Sequence, residues 1–186
     1  MVSIGYTMMC EQSPPDLLVR DIQRAEDAGF DFSVISDHFN PWLEEQGHSG
    51  YAWSILGAAS QVTSRIPLMT YVTCPLIRYH PISYDVSKDA ASKRAHEQFR
   101  WTGLGWPVNS ELPTPAGFAS ASASVRPEDI AEQVACGPDV DHVVDKAKAY
   151  VDAGFTELAL VQIGADQQEA FCSWAEKELL PALRSL

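Results

Sequence analysis

Short apolar runs alternate with longer amphipathic segments along this chain of 186 residues. The first three runs lie at residues 2–6, 32–35 and 67–72, and their β-branched and aromatic residues predict buried strands. Between the first two runs, apolar residues recur at helical spacing through residues 17–28. This succession of strand, helix and strand predicts a βαβ unit, whose strands lie parallel and are joined by a right-handed crossover.

The later pattern predicts further helices and one more clear strand. We expect helices over residues 51–63, 87–101, 127–133, 140–153 and 166–183, and a strand over residues 157–163. Residues 82–85 indicate a short strand, and Cys136 begins a Cys-Gly-Pro-Asp turn. Residues 103–126 are rich in Pro, Ser, Gly and Ala and predict a long loop, a kind of segment that is usually functional or mobile.

One short motif occurs twice, each time between a predicted helix and a predicted strand. It reads Asp-Ala-Gly-Phe at residues 27–30 and again at residues 152–155. A glycine at this position is typical of a helix C-terminus. The repeat favours an α/β fold of βα units in a single domain over residues 1–186. We expect about five mainly parallel strands, too few to close an eight-stranded barrel, which takes about 250 residues.

Composition narrows the kinds of partner. Thirteen Lys and Arg against 25 Asp and Glu give a formal net charge of −12, which opposes binding to nucleic acid or to anionic lipid. We expect no membrane span, because no apolar run approaches about 20 residues, and no secretory signal at the N-terminus. The expectation is a cytoplasmic protein that binds a small molecule.

The four cysteines predict no metal site and no disulfide. They are widely spaced and form no Cys-x-x-Cys pair: Cys10, Cys74, Cys136 and Cys172. We therefore expect four reduced thiols, as in a cytosolic protein.

The densest candidate chemistry follows the second predicted strand. Residues 36–42 read Ser-Asp-His-Phe-Asn-Pro-Trp and place an acid, an imidazole and an indole where a strand ends. In α/β folds, groups at the C-terminal ends of strands face the ligand crevice. His38 is the candidate for proton chemistry, because imidazole titrates near neutral pH. The alternative is a loop histidine that is hydrogen-bonded to Asp37.

Three groups of residues resemble the luciferase-like oxidoreductases that use flavin or deazaflavin. They are Gly5-Tyr6 with Glu11, the motif at residues 36–42, and Arg78-Tyr79-His80-Pro81. The branch that they resemble contains the glucose-6-phosphate dehydrogenases that use the deazaflavin coenzyme F420, and their relatives. Residues 95–101 and the segment from Ser124 through the last helix are similar to the C-terminal third of that branch.

The family has a complete eight-stranded (β/α) barrel, so the resemblance implies a truncated TIM-barrel-like fold. Residues 1–81 resemble the N-terminal third of the barrel and residues 82–186 the C-terminal third. At Pro81–Ile82 the resemblance passes directly from the N-terminal third of the barrel to the C-terminal third. This implies loss of the fourth to sixth strands, together with a Gly-rich stretch that in the family helps hold the cofactor and supplies a catalytic glutamate. Open strand edges favour pairing with another chain, so we expect a homo-oligomer.

The resemblance implies hydride transfer between coenzyme F420 and a small organic substrate. It places the catalytic residues His38, Trp42 and Glu11 around the reactive ring and Asp37 against the cofactor. Considered without the family, loop packing is the alternative explanation of Trp42, and a turn or helix cap is the alternative explanation of Asp37. For Glu11, the shortened chain favours a solvated loop carboxylate.

Two further segments gain a role only from the resemblance. Tyr71, Val72 and Thr73 match a cofactor-binding bulge with a non-proline cis peptide bond. Such a bond costs about 3–4 kcal/mol, and we expect it to relax to trans here. Arg78 and His80 could meet an anionic group, although we expect a surface pair on a loop.

The identity of the substrate and two other functions stay open. Glu132 and Gln133 stand where the glucose-6-phosphate branch is basic, which points to another substrate. The Gly-rich stretch and the catalytic glutamate that it carries in the family are missing. One alternative is therefore an inactive family member that serves as a binding or assembly module. An FMN-dependent monooxygenase-like protein shares the fold, but the motif at residues 36–42 favours F420 over FMN.

Overall fold

The computed structural model describes residues 2–70 and 77–186, with residues 77 and 78 described by their backbone alone. Its strands form one sheet in the order β3-β2-β1-β6-β4-β5, and the described pairs are all parallel. The strands are β1 (Ser3–Met8), β2 (Phe32–Ile35), β3 (Leu68–Thr70), β4 (Ile77–Ser83), β5 (Ala135–Cys136) and β6 (Glu157–Gln162). This order places the first and last strands side by side at the centre of the sheet.

Helices connect the strands. They are α1 (Pro15–Ala28), α2 (Ala52–Val62), α3 (Lys88–Phe99), α4 (Trp106–Asn109), α5 (Pro115–Ala121), α6 (Pro127–Ala131), α7 (Val140–Asp152), α8 (Gln168–Trp174) and α9 (Leu180–Leu183). Shorter 3₁₀ segments occupy Arg100–Leu104, Ser122–Ser124 and Ala165–Gln167, and a π-helical turn at Ala175–Leu179 joins α8 to α9. Among residues 2–70 and 77–186, none of these helices combines the length and apolar character needed to cross a lipid bilayer.

The repeated Asp-Ala-Gly-Phe motif ends two helices in the same way. Gly29 follows α1 with φ 86°, and Gly154 follows α7 with φ 95°. Residues other than glycine rarely adopt this left-handed conformation, so a glycine lets the chain reverse at low cost. Both Phe30 and Phe155 then lead into a strand, and the predicted βα repeat is confirmed at both places.

The predicted α/β class with mainly parallel strands is confirmed, but several local predictions are wrong. Cys136, predicted as the start of a turn, forms β5 with Ala135, and the two residues pair with Ile82–Ser83. Residues 78–81, predicted as a loop, lie within β4. His80 is fully buried there, so the surface-pair interpretation is wrong for this residue. The position where the resemblance jumps, Pro81–Ile82, therefore lies inside a strand that pairs with β6.

The predicted long loop over residues 103–126 is also wrong, because it contains α4 and α5. Pro107 and Pro115 each stand in the first turn of a helix, where a missing N–H costs nothing. Thr114 caps α5 by accepting a hydrogen bond from the Gly117 N–H at 3.2 Å. Proline therefore stands in the first turn of two helices here, although the abundance of proline had suggested a loop.

Two apolar clusters fill the space around the sheet. The larger one packs α1, α7, α8 and α9 against the sheet and includes the fully buried Ile4, Ile22 and Phe171. The second contains Phe99 and Ile130, and the partly buried residues packed against it are Trp42, Tyr79, Trp101 and Val125. The second cluster thus supports the aromatic residues of the candidate site.

The Glu26 carboxylate at the end of α1 holds the chain that enters β3. It accepts hydrogen bonds from the backbone N–H groups of Ser64 at 3.0 Å, Arg65 at 2.7 Å and Ile66 at 2.8 Å. The bonds from Ile66 and Arg65 are the main cause that lowers the pKa of Glu26 from 4.5 to about 2. The ionised carboxylate therefore satisfies three backbone N–H groups in the loop that leads to β3.

We expect Glu26 to contribute acid-sensitive stability. Because its pKa is depressed in the folded state, this contribution is present above pH 4.5 and is lost as the pH falls toward 2. Glu26→Gln should reduce the stability at neutral pH by about 1 kcal/mol and should flatten the dependence on pH between those limits. Urea unfolding at several pH values measures both effects. A variant with the wild-type pH dependence would show that another carboxylate is responsible.

Candidate active site

The parallel pairing of β1 and β2 brings Glu11 and His38 together. Met8 and Ile35 are paired at the ends of these strands, and the Ser36 N–H donates to the Met8 carbonyl at 3.1 Å. The chain then leaves both strands at the same edge of the sheet. Glu11 and His38 follow the two strands by three residues each, so they meet there although 27 positions separate them.

The Glu11 side chain is fully buried and bonded on both oxygens. The Ser36 hydroxyl donates to Oε2 at 2.6 Å, and Oε1 is hydrogen-bonded to Nδ1 of His38. Ser36 Oγ also accepts from the Cys10 N–H at 2.9 Å. The expectation of a solvated loop carboxylate is therefore wrong, because the turns after β1 and β2 fold over Glu11.

This contact selects the form of the imidazole that can act on a ligand. When the neutral imidazole donates from Nδ1 to this carboxylate, Nε2 keeps its lone pair. The side chain of His38 is 41% exposed, and it lines a cavity. Its partner is Glu11, so the predicted bond to Asp37 is wrong.

Cys10 lies next to Glu11 but is not equipped as a nucleophile. Burial, together with the charge of Glu11, raises the pKa of the Cys10 thiol to about 12. The described cysteines Cys10, Cys136 and Cys172 are free and buried, as predicted for reduced thiols, while Cys74 lies outside the described residues. Cys10 therefore stays a neutral packing residue.

Trp42 stands at the centre of an aromatic group. Its indole stacks on Trp101 with centroids 4.5 Å apart and an interplanar angle of 11°. Phe118 and His38 meet it edge-on, with centroids at 5.0 and 4.7 Å. The side chain of Gln46 fixes the loop, because its Oε1 accepts from the Trp42 N–H at 2.9 Å. Trp42 thus both packs the loop and presents an aromatic surface beside His38.

These residues line a cavity of about 540 Å³, called here the His38 cavity. Its lining is mainly apolar and aromatic and consists of Thr7, Met9, Glu11, Ser36, His38, Trp42, Tyr79, Trp101, Thr102, Trp106 and Asn109. In the described part of the chain, Thr7 Oγ1, Asn109 Oδ1 and Trp101 Nε1 are buried there without a hydrogen-bond partner. An apolar pocket of this size with a few unpaired polar groups is typical of a small-molecule site.

Two smaller cavities adjoin this one. The first, called the rim cavity, is about 270 Å³ and shares His38 and Trp42 with the His38 cavity; residues 112–115 and Phe118 form its other side. The second, called the Lys146 cavity, is about 470 Å³, and it shares the lining residues Tyr79 and Thr102 with the His38 cavity. His38 therefore faces two connected spaces, and the cation Lys146 lies in a third.

The structure brings together three of the predicted residues, Glu11, His38 and Trp42. Asp37 is exposed, lines none of these cavities and begins no helix, so its helix-cap interpretation is wrong. Its contact with a cofactor stays a prediction. Tyr71, Val72 and Thr73, with their predicted peptide geometry, lie outside the described residues.

Sequence reasoning assigned no site role to several lining residues, among them Ser36, Trp101, Trp106 and Asn109. Trp106 stands in the segment over residues 103–126 that was predicted as a loop, and Trp101 ends the helix predicted just before it. Aromatic residues in such a segment were the available signal. Nothing local in the sequence indicates that Trp101 stacks on Trp42, which lies 59 positions away.

Part of this chain is similar to known proteins. The family model described as luciferase-like monooxygenase matches residues 4–91. Residues 4–91 are therefore similar to the luciferase-like family. An F420-dependent hydroxymycolic acid dehydrogenase of Mycobacterium tuberculosis is 44% identical over 78 residues. An F420-dependent glucose-6-phosphate dehydrogenase of Intrasporangium calvum is 44% identical over 81 residues. The resemblance inferred from the motifs is confirmed.

These curated relatives are much longer than the matched luciferase-like region. The first match covers 42% of this chain and 22% of the relative, and the second covers 44% and 24%. The chain thus matches about a quarter of the length of either protein. Activity, substrate and partners of the whole relatives do not follow from a match of this extent.

Two solved structures share the fold. An F420-dependent secondary alcohol dehydrogenase, in complex with an F420–acetone adduct, superposes with a TM-score of 0.82 and 15% identity, covering 98% of this chain and 99% of that chain. A coenzyme F420-dependent tetrahydromethanopterin reductase from Methanopyrus kandleri superposes with a TM-score of 0.61, also at 15% identity. The superposition covers 98% of this chain and 99% of that chain. At this identity the likeness supports the luciferase-like fold alone.

Proposed function

We propose that this chain binds coenzyme F420 in the His38 cavity and transfers a hydride between F420 and a small organic substrate. The observation that carries the proposal is the buried Glu11 carboxylate bonded to Nδ1 of His38 at an aromatic cavity. The curated relatives named above, F420-dependent by name, support the choice of cofactor. FMN is the less favoured cofactor, because these relatives are named for F420.

The lining of the His38 cavity fits the flat heteroaromatic ring of a deazaflavin. Trp42 and Trp101 offer aromatic surface, and ring systems of this kind stack on indoles. The unpartnered Thr7 hydroxyl and Asn109 carbonyl could satisfy polar groups at the ring edge. For the anionic tail of F420, the adjoining cavity offers a cation, Lys146, which donates to the Glu132 carbonyl and shares the cavity with the Glu132 side chain.

Each residue of the site then has a definite task. Bound F420 would supply the hydride acceptor or donor. His38 Nε2 takes a proton from the substrate when it is oxidised and returns one when it is reduced. Glu11 holds the imidazole in this tautomer and stabilises its charged form, as the acid of a catalytic triad does. Trp42 and Trp101 orient the ligand and exclude water.

Fluorescence titration with F420, and in parallel with FMN, tests the proposal. We expect saturable binding of F420 with a dissociation constant in the micromolar range, and weaker binding of FMN. Trp42→Ala should weaken F420 binding about fivefold, because stacking contributes roughly 1 kcal/mol beyond the buried area. Trp53→Ala is the matched control, since Trp53 is an exposed indole on α2 outside the cavities.

Two outcomes would contradict the proposal. If the folded protein bound neither cofactor, the binding or assembly alternative would replace the enzyme interpretation. If FMN bound more tightly than F420, the monooxygenase-like alternative would gain support. Circular dichroism of each variant confirms that a loss of binding does not come from unfolding.

We also infer that this chain forms a homo-oligomer. We place it, by the same proposal, among the enzymes of the cytoplasm. In the described residues, β3 and β5 form the two edges of the sheet and do not pair with each other. Unpaired edges invite pairing with a second copy. Size-exclusion chromatography that showed a stable monomer at micromolar concentration would contradict this inference.

A further inference from the structure

We propose that Ser36 is a positioning residue, which holds Glu11 against His38 so that the neutral imidazole carries its proton on Nδ1 and presents Nε2 to the His38 cavity. The inference rests on the proposed function, because it concerns how the same imidazole is prepared for proton transfer. Ser36 opens the motif at residues 36–42, where the sequence gave its hydroxyl group no task.

The hydrogen bonds of Ser36 direct its hydroxyl proton toward Glu11. Ser36 Oγ accepts from the Cys10 N–H at 2.9 Å and donates to Glu11 Oε2 at 2.6 Å. A serine hydroxyl has a single proton to donate. Because the backbone N–H supplies the proton of the first bond, the hydroxyl proton is used for the second. One oxygen atom thus links the turn after β1 to the carboxylate that holds His38.

The Glu11 carboxylate depends on this bond because no permanent cation stands beside it. Its side chain is fully buried. In the part of the chain that the structure describes, neither Lys nor Arg pairs with it or lines the His38 cavity. Oε1 is bonded to Nδ1 of His38 and Oε2 to Ser36. Burying a carboxylate oxygen without a donor is costly, so the Ser36 hydroxyl is half of the support of this charge.

Loss of the hydroxyl would draw Glu11 away from His38. Ser36→Ala leaves the Cys10 N–H without its acceptor and Glu11 Oε2 without its donor, and both atoms lie within 3 Å of the site of the missing oxygen. The two are relieved when the carboxylate turns toward the Cys10 N–H. Nδ1 of His38 then loses its partner, and the partner of one ring nitrogen decides which nitrogen carries the proton. Ser36 therefore acts on Nε2 through Glu11.

Nitrogen NMR of histidine-labelled protein without cofactor tests this inference. The chemical shifts of Nδ1 and Nε2 report the ratio of the two neutral tautomers, measured at about pH 8.5, where an imidazole is ordinarily neutral. The signals of His38 are assigned by their loss in His38→Ala. We expect the wild type to carry the proton mainly on Nδ1. Ser36→Ala should reduce this preference about tenfold, the order expected when a hydrogen bond to a charged group is lost.

Two serine variants serve as controls. Ser36→Thr keeps the hydroxyl and should restore the wild-type ratio, since Ser36 lines the cavity and an added methyl group can enter that space. Ser33→Ala removes a hydroxyl from the same strand. Ser33 is fully buried, and its hydroxyl has no hydrogen-bond partner among the described residues, so this variant should keep the wild-type ratio.

Two further variants show whether Ser36 acts through Glu11 and guard against loss of folding. In a Glu11→Gln background, Ser36→Ala should cause no further change in the ratio, because coupled residues are not additive. Ser36→Cys fills the same space with a weak donor. It should change the ratio in the same direction as Ser36→Ala, and it replaces that variant if the alanine variant does not fold.

The outcomes separate this inference from the proposed function. The wild-type ratio in Ser36→Ala and Ser36→Cys, an undiminished effect of Ser36→Ala in the Glu11→Gln background, or a wild type without preference for Nδ1 overturns the inference and leaves the proposal of F420 binding in place. Absence of F420 binding in the fluorescence titration overturns the proposed function, while the tautomer ratios, measured without cofactor, still decide the role of Ser36.

Discussion

Replacing His38 with alanine should lower F420-coupled turnover by about 10²–10⁴-fold, the usual contribution of a positioned general acid or base. Nε2 of His38 is the nitrogen left free by the bond to Glu11, and it faces the aromatic cavity. No other histidine lines this cavity among the described residues. The loss should therefore appear in kcat, while KM changes less.

His142→Ala is the matched control for this experiment. His142 lies on α7, outside the cavities, and burial lowers its pKa, so it stays neutral at pH 7. The variant should turn over like the wild type. Glu11→Gln should cause a smaller loss than His38→Ala, because an amide can still contact Nδ1 but no longer fixes the tautomer. If His38→Ala kept the wild-type kcat, the proton would have to move through another group.

The largest effect on stability is expected for Phe171→Ala, which should reduce the free energy of unfolding by about 3–5 kcal/mol. Phe171 is fully buried in α8 and belongs to the larger apolar cluster. Its ring lies 6.3 Å from that of Phe30 and 6.2 Å from that of Trp174. Removing it leaves a cavity between α8, the sheet and the start of β2.

Phe39→Ala provides the comparison, because Phe39 is 94% exposed. The same chemical change there should alter the free energy of unfolding by no more than about 0.5 kcal/mol. Urea unfolding followed by circular dichroism measures both variants. Equal effects of the two substitutions would mean that α8 does not pack on the sheet as described.

The sequence predicted those parts of the fold that depend on residues close together in the chain. The helical spacing of Leu18, Ile22 and Ala25 predicted the buried face of α1, and Gly29 predicted where the helix ends. The strand β5 escaped prediction because two residues carry no detectable period. Its place depends on pairing with Ile82–Ser83, more than 50 positions away.

The candidate site shows the same limit. The motif at residues 36–42 pointed to His38, because an imidazole after a buried strand is visible in the sequence. The burial of Glu11 was not visible, since it depends on the pairing of β1 with β2 and on the hydroxyl of Ser36. The segment over residues 103–126 was misread because proline and serine favour loops and first turns of helices alike.

The pairing of β1 with β6 has a consequence for how the chain is made. Ser3 pairs with Glu157, so the two strands at the centre of the sheet are separated by most of the sequence. A ribosome delivers the N-terminal strands first, and β1 must wait with one edge open until β6 emerges. Such high contact order slows folding and exposes an unpaired edge to other nascent chains. The edge of β1 that meets β6 is therefore among the last parts of the sheet to be paired during synthesis.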